Sequence, residues 1–321
     1  LQTLLNALTV PVTQTDRDNI AALLVLPTEA VATSLLQTAI STRETTFTTF
    51  LSGFGIVLPD SNERTVLMSM WYQNQSSYFG TAANANAGIT ARPSNLTRAL
   101  VSGDRAEAWY EIRYRSAADG GGVITRRYAE SQQFGLYEAA TTPSVDEARS
   151  IYRMYSTHRE TILDYEQQHG GGGAEDRISD ANTTYVNFNV QYLSTALQLA
   201  ALTLISEYAP GRTDINTLDI LISGDTGQTL TAVARSGYQL NTGTQGAYLL
   251  VGEGGGDTLT GGAGDDVLVG GTGGDNLNGG AGQDVYVYRT GDGNDVILND
   301  DDGVIRVNGV QLGGAGALGF L

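Results

Sequence analysis

Residues 252–287 read GEGGGDTLT, GGAGDDVLV, GGTGGDNLN and GGAGQDVYV, four tandem nine-residue units of the form G-G-x-G-x-D-x-U-x in which U is large and apolar. No other feature restricts the fold of this chain so tightly. The first six residues of each unit must turn sharply, and glycine permits φ > 0 and close backbone approach. The last three alternate, so x-U-x predicts a short strand with one side chain pointing inward. The inward residues are then Leu259, Leu268, Leu277 and Tyr286. Two units close one coil, so units n and n+2 stack on the same side. Asp257 is expected over Asp275, and Asp266 over Asp284, at the strand spacing of about 4.8 Å. A flexible Gly/Asp linker has no reason to keep an apolar residue in every eighth slot.

Stacked carboxylates carry a cost. Two of them at roughly 5 Å repel by about 3 kcal/mol at an effective dielectric of 20. A divalent hard cation turns that cost into cohesion. Ca²⁺ takes 6–8 oxygen ligands, and Gly-rich turns leave carbonyls free to supply them, whereas Mg²⁺ demands a small, rigid octahedron. Folding and metal binding are therefore expected to be coupled.

The run resembles the RTX (hemolysin-type calcium-binding) repeats of proteins exported by type I secretion. The resemblance implies several Ca²⁺ ions, a secreted, extracellular location and the type I secretion machinery as a partner. It also implies ligands, namely the position-six carboxylates Asp257, Asp266, Asp275 and Asp284. Carbonyl donors would be Gly252 and Gly254, Gly261, Gly262, Ala263 and Gly264, Gly270, Gly271, Thr272 and Gly273, and Gly279, Gly280, Ala281 and Gly282. There are departures from the pattern. Glu253 replaces the second glycine of the first unit. Residues 291–297 (GDGNDVI) form a half-unit displaced by two residues, with Asp295 as a further ligand. Upstream, residues 243–251 keep the phase and Leu250 but place Tyr248 at the Asp position, and are expected to be a metal-free cap over the open end of the roll.

The formal charge is −17, and the basic residues are all Arg. From Asp219 onward 13 acidic residues face only Arg235, Arg289 and Arg306, so much of the acidity is ligand charge that bound calcium would cancel. Such a surface argues against nucleic acid and anionic membranes as partners. There is no Cys, hence neither a disulfide framework nor a thiol nucleophile. No signal peptide pattern is visible, and the first residue is Leu1, as expected of a fragment. The apolar stretch 192–205 is too short to span a bilayer and reads as a buried helix.

Before residue 210 the apolar period changes from two to about 3.6. A long helix opens at Pro27-Thr28-Glu29 and closes at Gly53. Capping-box pairs Asp60/Glu63, Asp104/Glu107 and Ser144/Glu147 each precede an amphipathic run. Gly135 ends the helix carrying Arg126, Arg127 and Glu130. The helix from Val145 runs to the glycines at 170–173, and another spans roughly 186–208.

Part of this body is similar to the larger, helical lobe of phage-type lysozymes. The residues that carry the similarity are 61–73 (SNERTVLMSMWYQ), Asn95-Leu96, 105–114 (RAEAWYEIRY) and 124–128 (ITRRY) through Phe134-Gly135, with 14–50 as the connecting long helix and its neighbour. The resemblance implies a peptidoglycan glycosidase whose catalytic lobe would precede Leu1, so no catalytic residue is assigned here. A glycosidase needs an acid and an opposing carboxylate or water about 5–9.5 Å apart, and no such pair is legible. Tyr72 and Gln73 would line the saccharide cleft, with Asn95 and Glu111 beside them. The plain alternatives are core packing for Trp71 and Tyr72, and an ion pair with Arg113 or Arg115 for Glu111.

The fold class expected is thus α + β and multidomain. An all-α, lysozyme-like N-terminal domain (1–143) leads to a helical bridge (144–209) with its Gly-rich linker at 170–173. A right-handed parallel β-roll with caps follows (210–321). Other chemistry is missing. His158 and His169 form no zinc motif and are expected to be solvated on their helix. There is no Gly-x-Ser-x-Gly elbow and no P-loop lysine. Asp300 to Asp302 read as a solvated turn or as an extension of calcium binding, and residues 313–321 as either a cut end or an export signal. A non-enzymatic reading, a calcium-stiffened cell-surface or matrix protein, stands beside the glycosidase.

Overall fold

The computed structural model describes residues 29–81, 90–115, 121–138, 141–169, 193–223, 229–231, 246–300 and 303–312. The expectations for 14–28, the linker at 170–173, the helix start at 186–192 and the tail 313–321 lie outside the described residues. The chain divides into two compact units, Leu1–Val57 and Leu58–Leu321.

In the first unit, α1 (Glu29–Ser52) ends before Gly53, whose N–H reaches Thr49 O and Phe50 O at 3.1 Å. Phe47, Phe50 and Leu51 are buried. Its exposed threonines return their hydroxyls to the carbonyl four residues back, as Thr38 does to Ser34 at 2.9 Å.

The second unit starts with helices. These are α2 (Asn62–Phe79), α3 (Asn95–Ser102), α4 (Arg105–Tyr110) continuing as a π-turn over Glu111–Arg115, α5 (Gly121–Phe134), α6 (Val145–His169) and α7 (Leu193–Tyr208). Between α2 and α3 a short antiparallel pair joins β1 (Gly80–Thr81) to β2 (Arg92–Pro93). One of the three predicted capping boxes stands whole and one in half. Asp104 accepts the Glu107 N–H (3.1 Å), and Ser144 and Glu147 cap each other reciprocally. The third is corrected. Ser61, with extended φ −154°, is the N-cap of α2 and accepts from Arg64 N. Asp60 lies one residue too far out and meets only the Arg64 guanidinium, at 3.7 Å. Gly135 follows α5 at φ 78°, as its sequence position suggested.

The rest of this unit is a parallel roll of two sheets. One has the order β10-β8-β6-β4, from β4 (Thr229–Thr231), β6 (Thr258–Ala263), β8 (Asn276–Ala281) and β10 (Val296–Asp300). The other has the order β12-β11-β9-β7-β5-β3. Its strands are β3 (Ile215–Ile222), β5 (Ala247–Val251), β7 (Val267–Val269), β9 (Val285–Tyr288), β11 (Val304–Val307) and β12 (Val310–Gln311). Every pairing in both sheets is parallel except β11 with β12. The register is the one the period demands, with Leu259 opposite Leu277 and Leu268 opposite Tyr286. Tyr248, Leu250, Leu259, Leu268, Leu277 and Tyr286 fill the interior, and Leu221, Ile297 and Ile305 pack against them.

Residues 243–251 do not form the outer cap. Leu221 of β3 stands opposite Leu250, and Leu230 of β4 opposite Leu259. Residues 214–222 (DINTLDILI) and 223–231 (SGDTGQTLT) keep a nine-residue spacing between Leu221 and Leu230, but stand two residues out of phase with the repeats downstream and lack most of their glycines. The outermost strand, β3, is in turn contacted by α6 and α7. The buried Tyr152 hydroxyl donates to Thr217 O (2.7 Å) and Leu197 O (3.1 Å).

The two outer faces of the roll differ. In the four-stranded sheet the outward positions of β6 and β8 are Thr258, Thr260, Asn276 and Asn278. In the six-stranded sheet Leu249, Val251, Val267, Val269 and Val287 point outward yet are no more than 6% exposed. Helices α6 and α7 hold this side through Arg153–Glu253 (2.6 Å) and Glu207–Arg289 (2.6 Å), and the Arg289 guanidinium lies 4.8 Å from the Tyr208 ring.

Candidate metal centre

The position-six aspartates Asp257, Asp266, Asp275 and Asp284 are at most 2% exposed. Three of these carboxylates are fixed by the coil that precedes them. Asp275 Oδ1 accepts the Asp257 N–H at 2.7 Å, Asp284 Oδ1 the Asp266 N–H at 2.9 Å, and Asp266 Oδ1 the Tyr248 N–H at 2.8 Å. Asp295 joins one ladder, its Oδ1 accepting the Asp275 N–H at 3.2 Å. The two-residue displacement is absorbed before the strand, and Val296 stands opposite Asn276. One edge therefore carries Asp257, Asp275 and Asp295, the other Asp266 and Asp284.

The second oxygen of these carboxylates decides what the loops can hold. Oδ2 of Asp266 and of Asp275 is buried and meets no hydrogen-bond donor. A buried, uncompensated carboxylate oxygen costs several kcal/mol unless a proton or a cation answers it. Each points at a glycine. A Cβ on Gly261 would fall inside 3.0 Å of both Asp266 Oδ2 and Gly279 O. One on Gly252 would overlap Asp257 Oδ2 and Gly270 O, and ones on Gly270 and Gly279 would overlap the Asp275 and Asp284 carboxylates. These are small, oxygen-lined cradles that only glycine leaves open. Positions two and four adopt positive φ throughout, as at Gly262 (121°), Gly264 (134°), Gly271 (90°), Gly273 (145°), Gly280 (94°) and Gly282 (137°), which turns carbonyls toward the loop stack. Some expected donors are partly engaged. The carbonyls of Thr272 and Ala281 accept Gly255 N–H and Gly264 N–H, so each keeps one lone pair. Gly254 bridges to Thr272, and Ala263 pairs with Ala281.

Among the described residues no three His, Cys, Asp or Glu side chains converge. A cation here would take single carboxylates and several carbonyls, an all-oxygen set that suits calcium and disfavours zinc. Burial pushes the Asp266 carboxyl up to about 7, with the Asp284 charge adding and the Tyr248 N–H opposing. Burial likewise pushes Asp295 up to about 6, and raises Asp275 and Asp292.

Three residues at this site escaped the motif. Asp292 is buried, with Oδ2 accepting the Arg289 N–H (2.6 Å) and its carbonyl the Gly273 N–H. The Ser223 hydroxyl donates to Gly252 O and lies 3.5 Å from Asp257 Oδ1, closing the upstream end of one edge. Asp219, at position six of the 214–222 unit, is buried and accepts from Asn216 Nδ2 at 2.8 Å. The nine-residue phase passes two residues away from Ser223 and Asp219, and only the pairing of β3 with β5 and of β4 with β6 reveals them.

The residues assigned to a saccharide cleft fall into two separate pairings. Gln73 Oε1 accepts from Arg127, which also pairs with Glu130. Asn95 Nδ2 donates to Glu111 Oε1 at 3.1 Å, and the Arg115 charge also acts on that carboxylate. Burial raises the Glu111 carboxyl, opposed by that hydrogen bond. Trp71 is core, edge-on to Phe79 at 5.5 Å, whereas Tyr72 is 39% exposed. α2 breaks just beyond, at Asn74, whose side chain caps the next turn through Ser77 N. A cavity of about 450 Å³ is lined by Ser102, Asp104, Arg105, Glu147, Ser150 and Arg153 among others, and by none of these four residues. His158 is not solvated. It stacks on Tyr110 (3.7 Å, 8°) and lies 2.9 Å from both Glu107 carboxylate oxygens, because Glu107 faces α6 and does not fold back to its own cap.

Residues 251–286 match the family model of the RTX calcium-binding nonapeptide repeat, in four copies. No match was found among curated protein sequences or among solved structures. The chain thus carries RTX calcium-binding repeats wound into a parallel β-solenoid, next to a helical N-terminal part. Among the described residues no helix is long and apolar enough to cross a membrane.

Proposed function

We propose that this chain is a calcium-loaded folding module of an exported protein, in which the ion drives closure of the roll and the roll seats the helical part. The observation that carries the reading is the pair of buried Asp266 and Asp275 Oδ2 atoms aimed into glycine cradles without a donor. Calcium, when bound, supplies the positive charge those oxygens lack. Asp257, Asp266, Asp275, Asp284 and Asp295 would hold it, with the carbonyls of the loop glycines. Extracellular modules of this kind have affinities of about 10⁻⁴–10⁻³ M, so cytosolic calcium would leave the roll open and the outside would close it. Passage through a type I machinery as an extended chain, and a secreted location, follow from that order of events.

Calcium titration of the chelated chain tests this, read by the strand signal in circular dichroism. Strand signal should appear with calcium and vanish with EGTA, while much of the helix signal stays. A spectrum indifferent to chelation refutes the proposal.

A second reading makes the helical part a peptidoglycan-binding or peptidoglycan-cleaving lobe. It is favoured by the Asn95–Glu111 hydrogen bond, which joins two residues assigned to one cleft. Turbidity clearing of dye-labelled peptidoglycan by the intact parent protein tests it, and correctly folded parent protein that clears nothing refutes it.

A further inference from the structure

Glu253 occupies the position that glycine holds in the other three repeats, at φ 67°, a conformation side chains seldom adopt. Its carboxylate is 8% exposed and lies 2.6 Å from Arg153 Nη1 and 3.8 Å from Arg149 Nε. Arg153 Nη2 continues to Asp104 Oδ2 at 3.3 Å. Asp104 caps α4 and accepts the Ser150 hydroxyl of α6 at 2.6 Å. In the other direction the Glu253 carbonyl accepts the Thr272 N–H at 2.7 Å, in the next loop of the same edge. One residue is thus bonded through its backbone to the loop stack and through its side chain to α6, which passes the contact on to the cap of α4. Its neighbours Gly252 and Gly254 are both expected metal-facing carbonyl donors.

We propose that Glu253 is a latch, which reports calcium loading of the roll to the helical part by locking Arg149 and Arg153. The inference rests on the calcium reading above. With the loop closed, the carboxylate is held where α6 can reach it. With the loop open, Arg153 keeps Asp104 and loses the roll. Substituting glycine at a positive-φ site relieves the backbone while cutting the latch.

Both tryptophans of the chain, Trp71 and Trp109, lie in the helical part, so tryptophan emission follows the helices while strand dichroism follows the roll. In the full wild-type chain, calcium should raise the thermal midpoint seen by tryptophan. In Glu253→Gly the strand signal should still appear, at a calcium midpoint within about twofold of wild type, while at least half of the tryptophan-reported rise is lost. Arg153→Gln should lose a similar share, and the double variant no more than either single one. A full rise in both single variants overturns the latch. So does loss of the strand signal in Glu253→Gly, which would make this residue part of the metal loop. Wild-type strand signal that ignores calcium refutes the calcium reading itself, at a step distinguishable from failure of the latch.

Discussion

Replacing Asp275 by alanine should weaken the roll more than the same change at Asp257. Both carboxylates face a cradle, so each loses one anionic ligand. Asp275 also serves the coil before it, taking the Asp257 N–H at 2.7 Å. Asp257 is fully buried, so no water can replace that acceptor, and an orphaned buried N–H costs about 1–3 kcal/mol. The Asp257 carboxylate meets Ser223 Oγ at 3.5 Å, too long to count for much. The loss of that acceptor at Asp275 is worth roughly 5- to 150-fold in a folding constant. If about three ions load together, the calcium midpoint moves by the cube root, about 2- to 5-fold. Asp275→Asn separates the two effects, because its Oδ1 can still accept the N–H while the charge is gone. Calcium titrations followed by strand dichroism should rank the midpoints Asp275→Ala above Asp257→Ala, with Asp275→Asn below Asp275→Ala. If Asp275→Ala is no worse than Asp257→Ala, the stacking of unit n on unit n+2 does not carry the load assigned to it.

Three further outcomes follow from the same geometry. Gly261→Ala should abolish the calcium response of its edge, since the new Cβ overlaps Asp266 Oδ2 and Gly279 O, whereas Gly256→Ala, whose nearest neighbour is Gly274 O at 3.4 Å, should stay within about 0.5 kcal/mol of wild type in the same titration. Without calcium the roll should gain strand structure on acidification. The folded carboxyls of Asp266 and Asp295 sit near 7 and 6, above the ordinary 3.8, so their protonated forms favour folding. That stability is complete below about pH 4 and is lost as pH rises toward 7. Dichroism in EGTA across this range checks it, and a flat profile contradicts it. Tyr152→Phe removes a buried donor to Leu197 O and Thr217 O, at a cost of about 1–2 kcal/mol, and should lower the tryptophan-monitored midpoint by about 2–6 °C.

The parts of the fold that were legible share one property, a local rule that repeats. Inward leucines, the aspartate ladder and the two-unit coil follow from nine residues of spacing and the geometry of a strand. The upstream coils were missed because the period was read through its glycines. At 214–231 Leu221 and Leu230 keep nine residues between them but stand 29 residues before their partners Leu250 and Leu259, out of phase with the repeats, and most of the glycines are gone. Asp60 was preferred over Ser61 as a cap because both satisfy the composition rule, and only the backbone decides which one stands next to the first helical residue. His158 looked solvated because an amphipathic pattern cannot reveal that Glu107 and Tyr110 of another helix meet it. The saccharide-cleft residues rested on similarity of a helical pattern, and that pattern carries no information on which side chains converge.

One more signal was present in the repeats and concerns how the two parts of the second unit meet. The units alternate as TLT, VLV, NLN and VYV. Polar flanks belong to the four-stranded sheet, and apolar flanks to the six-stranded sheet whose outer face is buried. The apolar flanks do not serve the interior of the roll, which Leu268 and Tyr286 already fill. Their burial, with α6 and α7 against β3 of the same sheet, predicts a docking face for the helices that exists only when consecutive coils are stacked, which the aspartates resist until their charge is answered. Calcium should therefore govern attachment of the helices even where no ligand touches them. Val267→Thr combined with Val269→Thr gives this coil the flanks its neighbours carry. Burying two hydroxyls should cost about 1–3 kcal/mol each if the helices stay docked. Calcium should still induce the strand signal with little change in midpoint, while the tryptophan-reported transition falls in temperature and loses its dependence on calcium. A shift in the calcium midpoint as large as that of Asp275→Ala would show that these valines hold the roll together, and the docking face would have to be sought elsewhere.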